Sequence, residues 1–131
     1  MKIGINGFGR IGRAVFRINE LQEAFDLVVI NDINVDNNNI AYLTEYDTTY
    51  GRFNHEVTAN DKSIQYNNKK IDIFHKENIL DVPWDEYDVD VVIDSSGIEE
   101  NLNNIKFKNN TKVKHYIVTN AAGEGVKTII F

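Results

Sequence analysis

Lys2-Ile3-Gly4-Ile5-Asn6-Gly7-Phe8-Gly9-Arg10-Ile11-Gly12 opens this chain. Residues 2–5 are a short β-compatible run, and the glycines at 7, 9 and 12 follow it directly. Beyond them Ile11, Val15 and Ile18 recur at i, i+4 and i+7, so a helix with that apolar stripe is expected. In a strand–turn–helix unit of this kind the first glycine permits the tight turn. The second lets backbone approach a pyrophosphate, and the third lets helix and strand pack closely. The free N–H groups and positive dipole end of the helix then face the phosphates.

Glycine triplets also occur in ordinary turns, so the next strand matters. Leu27-Val28-Val29-Ile30 reads as a buried parallel strand ending in Asn31-Asp32, which places a carboxylate 20 residues after Gly12. From there it can accept hydrogen bonds from adenosine ribose hydroxyls, and its charge repels a 2′-phosphate, which favours NAD over NADP.

Further along, a helix is expected near Asn39–Glu45. A β-rich stretch follows (55–59, 63–66 and 70–74), with turns at Asn60-Asp61 and Asn67-Asn68, which reads as an antiparallel insertion. Strand 89–94, Ser95-Ser96-Gly97, a helix to about residue 108, strand 113–119, a turn at 121–125 and an apolar run at 126–131 complete the order. Strands alternating with helices predict an α/β fold, a doubly wound, mostly parallel sheet with an antiparallel β insertion.

The 131 residues match one domain, and a net charge of −6 offers no basic footprint for nucleic acid. Cysteine is absent, which excludes disulfides and thiolate metal sites. No segment reaches the roughly 20 apolar residues of a membrane helix, and Met1-Lys2-Ile3 enters the first strand without a leader, so a cytoplasmic location without membrane contact is expected. His55, His75 and His115 have no metal-ligand spacing and read as surface residues, so no metal is expected. The acidic run Asp85-Glu86-Tyr87-Asp88 reads as a solvated loop, and Ser95 and Ser96 have no base nearby in sequence. The asparagines, 18 in all, lie between apolar runs and read as surface drift.

Asn6-Gly7-Phe8-Gly9-Arg10-Ile11-Gly12-Arg13, Asn31-Asp32, the segment Tyr46-Asp47-Thr48-Thr49-Tyr50-Gly51-Arg52-Phe53, Asn68-Lys69-Lys70-Ile71 and Pro83-Trp84 together resemble the cofactor domain of glyceraldehyde-3-phosphate dehydrogenase. The resemblance spans essentially the whole chain and implies a Rossmann NAD-binding domain over 1–131. It assigns Gly7, Gly9, Arg10 and Ile11 to the pyrophosphate, with Asn6 bracing the turn, and Asp32 to the adenosine ribose, and it counts Phe8 and Asn31 among the cofactor-binding residues. Glu77 is placed near adenine. Ser95, Ser96 and Gly97 stand where the family has Ser/Ala-Thr-Gly near the nicotinamide side, and Thr119 where it has Ser or Thr touching the nicotinamide half. Glu77 replaces a frequent arginine, Glu99 a phenylalanine, Tyr50 a histidine and Asn120-Ala121 a small residue followed by proline, which implies an altered adenine site.

In the family a cysteine nucleophile and its histidine base lie beyond the point matching Phe131, as do the phosphate-binding residues. The chain is therefore expected to bind NAD without turnover, as the cofactor domain of the phosphorylating glycolytic enzyme without its catalytic domain and C-terminal helix. A related erythrose-4-phosphate dehydrogenase and a natural non-catalytic NAD module remain as alternatives. The resemblance implies a homotetrameric parent. With the C-terminal helix missing, an exposed apolar patch and self-association are expected.

Overall fold

The computed structural model describes residues 1–106 and 111–119, with the backbone alone at Lys106. Its elements follow the expected order: β1 (Lys2–Asn6), α1 (Arg10–Gln22), β2 (Asp26–Asn31), α2 (Asn37–Glu45), β3 (Tyr46–Asp47), β4 (Gly51–Arg52), β5 (Thr58–Ala59), β6 (Ser63–Tyr66), β7 (Lys69–Phe74), β8 (Val91–Asp94), α3 (Glu99–Lys106) and β9 (His115–Val118). Two short 3₁₀ turns, Ile79–Asp81 and Trp84–Tyr87, bridge β7 and β8. The main sheet runs β5-β6-β7-β2-β1-β8-β9, and its five strands from β7 to β9 are parallel. That is the 3-2-1-4-5 order of a doubly wound sheet, with its switch point between β1 and β8.

The antiparallel part is present as expected and is continuous with the parallel sheet through β7. β7 closes an antiparallel hairpin with β6 on one edge and pairs in parallel with β2 on the other, so one strand serves both halves. β3 and β4 form a separate two-stranded antiparallel pair. Strand 55–59 shortens to Thr58–Ala59, strand 89–94 begins at Val91, and strand 113–119 is reduced to His115–Val118. The turn at 121–125, the run at 126–131 and the pair at 120–121 lie outside the described residues.

Each face of the sheet carries its own core. On one, Ile3 and Ile5 of β1 meet Leu27, Ile30, Ile64, Ile71 and Ile73 beneath Phe16 of α1. Phe16 packs against Phe8, Phe53 and Tyr66, with ring centroids 5.3–6.0 Å apart. On the other face Val29, Val89 and Val92 pack with Ile79, Val82 and Trp84. Gly4 has no side chain because Trp84 fills that space: a Cβ there would lie 2.5 Å from the indole ring.

The rotation of α1 differs from the expected stripe. Gly12, Phe16 and Asn19 face inward, while Ile11 and Ile18 are half exposed. A Cβ on Gly12 would stand 2.4 Å from the Gly7 carbonyl oxygen, so only this residue permits the close approach of α1 to β1. That contact sets the helix rotation and turns the neighbouring isoleucines outward. At the other end Asn19 exchanges two hydrogen bonds with the Phe25 backbone, leading the chain into β2.

Glu45 ends α2 as a buried carboxylate. It accepts from the Val57 N–H at 2.8 Å and from Arg52 at 3.1 and 3.2 Å. The Val57 bond, helped by Arg52, outweighs burial and holds its carboxyl below the ordinary value of 4.5. A depressed folded-state pKa contributes stability that is complete above the unfolded value and lost as pH falls through the folded one. Glu45→Gln should therefore flatten the loss of stability below about pH 4.5. Urea midpoints measured from pH 6 down to pH 3 check it; equal slopes in both proteins would refute the assignment.

Candidate functional site

The C-terminal ends of β1, β2 and β8 converge on a cleft of about 210 Å³ lined by Asn6, Gly7, Gly9, Asn31, Asp32, Ile33, Ser95, Ser96, Ile98 and Asn101. It lies where the strand order reverses, the place at which open α/β sheets take ligands.

The three glycines answer three different requirements. Gly7 has φ +91, and a Cβ on it would lie 2.5 Å from the Ser96 backbone, so the turn is both left-handed and tightly packed. Gly12 brings α1 against the Gly7 carbonyl. Gly9 meets nothing within 4 Å of where its Cβ would be. It faces open cleft, which is the space a pyrophosphate backbone contact requires.

Gly9 is the N-cap of α1, and no side chain caps it. The N–H groups of Gly9, Arg10, Ile11 and Gly12 have no protein acceptor among the described residues. Four donors at a helix N-terminus, opening on a glycine without a Cβ, suit a doubly charged diphosphate. Arg10 is exposed beside them. Phe8 sends its ring into the core against Phe16, so only its backbone belongs to the turn.

Asp32 follows β2. Its Oδ2 accepts from the Phe8 N–H at 2.6 Å and its Oδ1 from the Asn34 N–H at 2.8 Å. A carboxylate offers about four lone-pair positions. Two of these have no donor among the described residues, while the other two tie Asp32 to the glycine turn at Phe8 and to its own loop at Asn34. Sequence reading missed His75, which was placed on the surface. Its Nδ1–H donates to the Asp32 carbonyl at 2.8 Å, so the imidazole steadies the same loop from behind. Its position immediately after β7, the neighbour of β2, was the available signal.

Ser95 donates its hydroxyl to the Gly7 carbonyl, and its N–H bonds the Asn6 carbonyl. Ser96 donates to Asp94 at 2.7 Å. Gly97, at φ +70, turns the chain toward α3. Thr119 closes β9 with its N–H on the Asp94 carbonyl and stands exposed beyond the cleft lining. Glu77 and Glu99 are exposed at the loop after β7 and at the start of α3, and neither lines the cleft. The structure thus brings Asn6, Gly7, Gly9, Asn31, Asp32, Ser95 and Ser96 together, with Phe8, Arg10 and Ile11 on the same turn. Glu77, Gly97 and Thr119 lie at its margins.

The asparagines read as surface drift include five buried ones: Asn6, Asn19, Asn31, Asn37 and Asn101. Asn6 and Asn31 end β1 and β2 in register and are hydrogen-bonded to each other at 2.7 Å. Among the described residues no group of histidine, aspartate and glutamate is placed to hold a metal ion. No helix there is long and apolar enough to cross a membrane.

Comparison with known proteins identifies the family to which the domain belongs. The family model described as "Glyceraldehyde 3-phosphate dehydrogenase, NAD binding domain" matches residues 1–102. Glyceraldehyde-3-phosphate dehydrogenase 1 of Candida glabrata is 41% identical over 98 residues, covering 75% of this chain and 30% of that protein. The Bacillus cereus protein of the same name is 46% identical over 96 residues, covering 73% and 28%. Glyceraldehyde-3-phosphate dehydrogenase of Borreliella burgdorferi is 36% identical over 135 residues, covering 99% of this chain and 40% of that one. The chain thus spans well under half the length of these relatives.

Proposed function

Because the chain belongs to the glyceraldehyde-3-phosphate dehydrogenase family and carries that family's NAD-binding domain, we propose that it holds NAD as the cofactor unit of a phosphorylating aldehyde dehydrogenase of glycolysis. The observation that carries this reading is the uncapped N-terminus of α1 facing Gly9, with the Asp32 carboxylate at one side.

The N–H groups of residues 9–12 neutralise the diphosphate, and Arg10 adds a mobile positive charge. Asp32 takes the adenosine ribose. Ser95, Ser96, Gly97 and Thr119, along the ends of β8 and β9, set the side toward which the nicotinamide extends. Bound there, the nicotinamide supplies a hydride acceptor. A polypeptide of this sequence contains no cysteine, so it offers no thiol to attack an aldehyde carbonyl, and it binds the cofactor without oxidising substrate. Soluble tetramers of the parent kind would place this domain in the cytoplasm, with neither nucleic acid nor membrane as partner.

Isothermal titration of the purified chain with NAD, alongside an assay of glyceraldehyde-3-phosphate oxidation with phosphate present, tests both halves. Saturable NAD binding with no NADH formed is the expected result. Absence of binding would remove the cofactor reading, and turnover by a pure sample would remove the claim of inactivity.

A further inference from the structure

The floor of the cleft is polar, yet its hydrogen bonds are spent inside the protein. Asp94, fully buried at the end of β8, accepts at Oδ1 from the Asn6 amide at 3.1 Å. The Asn6 side-chain oxygen, Oδ1, accepts from the Asn31 side-chain amide at 2.7 Å. Asn31 in turn grips the Lys76 backbone twice, donating to its carbonyl at 2.9 Å and accepting from its N–H at 2.8 Å. A second branch leaves the same carboxylate oxygen. Ser96 donates to Oδ1 at 2.7 Å, Asn101 donates to the Ser96 hydroxyl at 3.1 Å, and the Asn101 carbonyl accepts the Ile79 N–H at 3.1 Å.

The two branches end three residues apart, on Lys76 and Ile79. Between them lies the loop that follows β7, and it is tied to the ribose side by the hydrogen bond from His75 to the Asp32 carbonyl. On the strength of the NAD-binding reading above, we infer that Asp94 is a positioning residue for the adenosine half of the cofactor. It acts through Asn6 and Asn31 on one end of that loop and through Ser96 and Asn101 on the other.

The argument rests on polarity. An asparagine amide can sit in either of two orientations, and a chain of amides needs one end that only accepts or only donates. The Asp94 Oδ1 accepts from three donors, the Asn6 amide, the Ser96 N–H and the Ser96 hydroxyl. This forces the Asn6 carbonyl toward Asn31, and so presents to Lys76 the donor and acceptor that its backbone matches. With an apolar side chain at 94, Asn6 can flip. Asn31 must then flip as well, and its amide would face the Lys76 N–H, donor against donor. The cost falls on the loop beside Asp32, although Asp94 itself does not line the cleft.

The Asp94 Oδ2 is buried and has no partner among the described residues. Asp94→Asn can therefore keep Oδ1 in place and put its NH₂ where Oδ2 stands, which makes it the conservative rescue. Asp94→Leu cannot. The test is titration of the purified chain with ADP-ribose, with amide hydrogen exchange followed at Lys76 and Ile79. Asp94→Leu should weaken ADP-ribose about tenfold or more and speed exchange at both amides, while Asp94→Asn stays within about threefold of the wild type. If Asp94→Leu does not fold, Asn31→Asp decides. It keeps the acceptor for the Lys76 N–H but sets an oxygen against the Asn6 carbonyl, and it should lose affinity to the same extent.

Wild-type affinity and exchange in a folded Asp94→Leu or Asn31→Asp would overturn the relay, as would a loss in Asp94→Asn equal to that in Asp94→Leu. A wild-type chain that takes up no ADP-ribose would instead overturn the cofactor reading. Unchanged or accelerated exchange at Lys76 still reports on the relay in that case, so the two failures are told apart.

Discussion

Gly7→Ala should unfold the chain under conditions in which Gly9→Ala folds normally and binds NAD poorly. At Gly7 the backbone is left-handed, at φ +91, which costs an L-residue about 1–2 kcal/mol. The added carbon would also press to 2.5 Å on the Ser96 backbone, which cannot rotate away as a side-chain tip could. Together these place the substitution at about 4 kcal/mol or more, a large share of the roughly 5–15 kcal/mol that holds a domain of this kind folded. Gly9 has an ordinary negative φ of −81 and open space around it. Alanine there should shift stability by less than about 1 kcal/mol. Its methyl group nevertheless occupies the approach to the N–H groups of α1, so NAD affinity should fall about tenfold or more. Urea unfolding paired with calorimetric titration separates the two effects. A Gly7→Ala protein with the wild-type midpoint, or a Gly9→Ala protein with undiminished affinity, would contradict the division of labour assigned to these glycines.

Asp32→Ala carries the largest expected effect on binding. Two hydrogen bonds from ribose hydroxyls to a charged acceptor contribute roughly 1.5–3 kcal/mol each, so NAD should weaken about a hundredfold or more. The same carboxylate braces the Phe8 and Asn34 N–H groups, and their loss should lower the melting temperature as well. Affinity loss from a slackened turn and affinity loss from missing ribose contacts can be separated with NADP. The negative charge that attracts hydroxyls repels a 2′-phosphate, so the wild type should prefer NAD strongly and Asp32→Ala should narrow the ratio. Equal losses for both dinucleotides would leave the carboxylate a structural role only.

The fold and part of the site were legible because their causes are local. Glycines at 7, 9 and 12 mark a turn whose demands fall on single positions, and an apolar strand ending in Asp32 places its carboxylate by strand length alone. The rotation of α1 was not legible. It depends on the contact between Gly12 and the Gly7 carbonyl, which outweighs the apolar stripe of Ile11, Val15 and Ile18. Nor was the shared use of β7, since a six-residue strand carries no mark of which edges it pairs. The relay under the cleft joins residues 25 and 88 positions apart. Asn6 and Asn31 closing two apolar strands at the same register was its one visible trace, hidden among many surface asparagines.

Asn6 is followed by Gly7, the pair in which a backbone nitrogen most readily attacks the side-chain carbonyl to close a succinimide and release ammonia. In the folded chain that attack is blocked twice. The Gly7 N–H is held by the Asn31 carbonyl at 2.7 Å, and the Asn6 amide is fixed at both its nitrogen and its oxygen. Once the strand ends part, the protection goes. Deamidation would then leave an aspartate at position 6 facing the buried carboxylate of Asp94, acceptor against acceptor where an amide donor stood. The hydrogen bonds beneath the cleft thus also govern the chemical lifetime of the chain: time spent unfolded becomes a covalent change that hinders return to the native state.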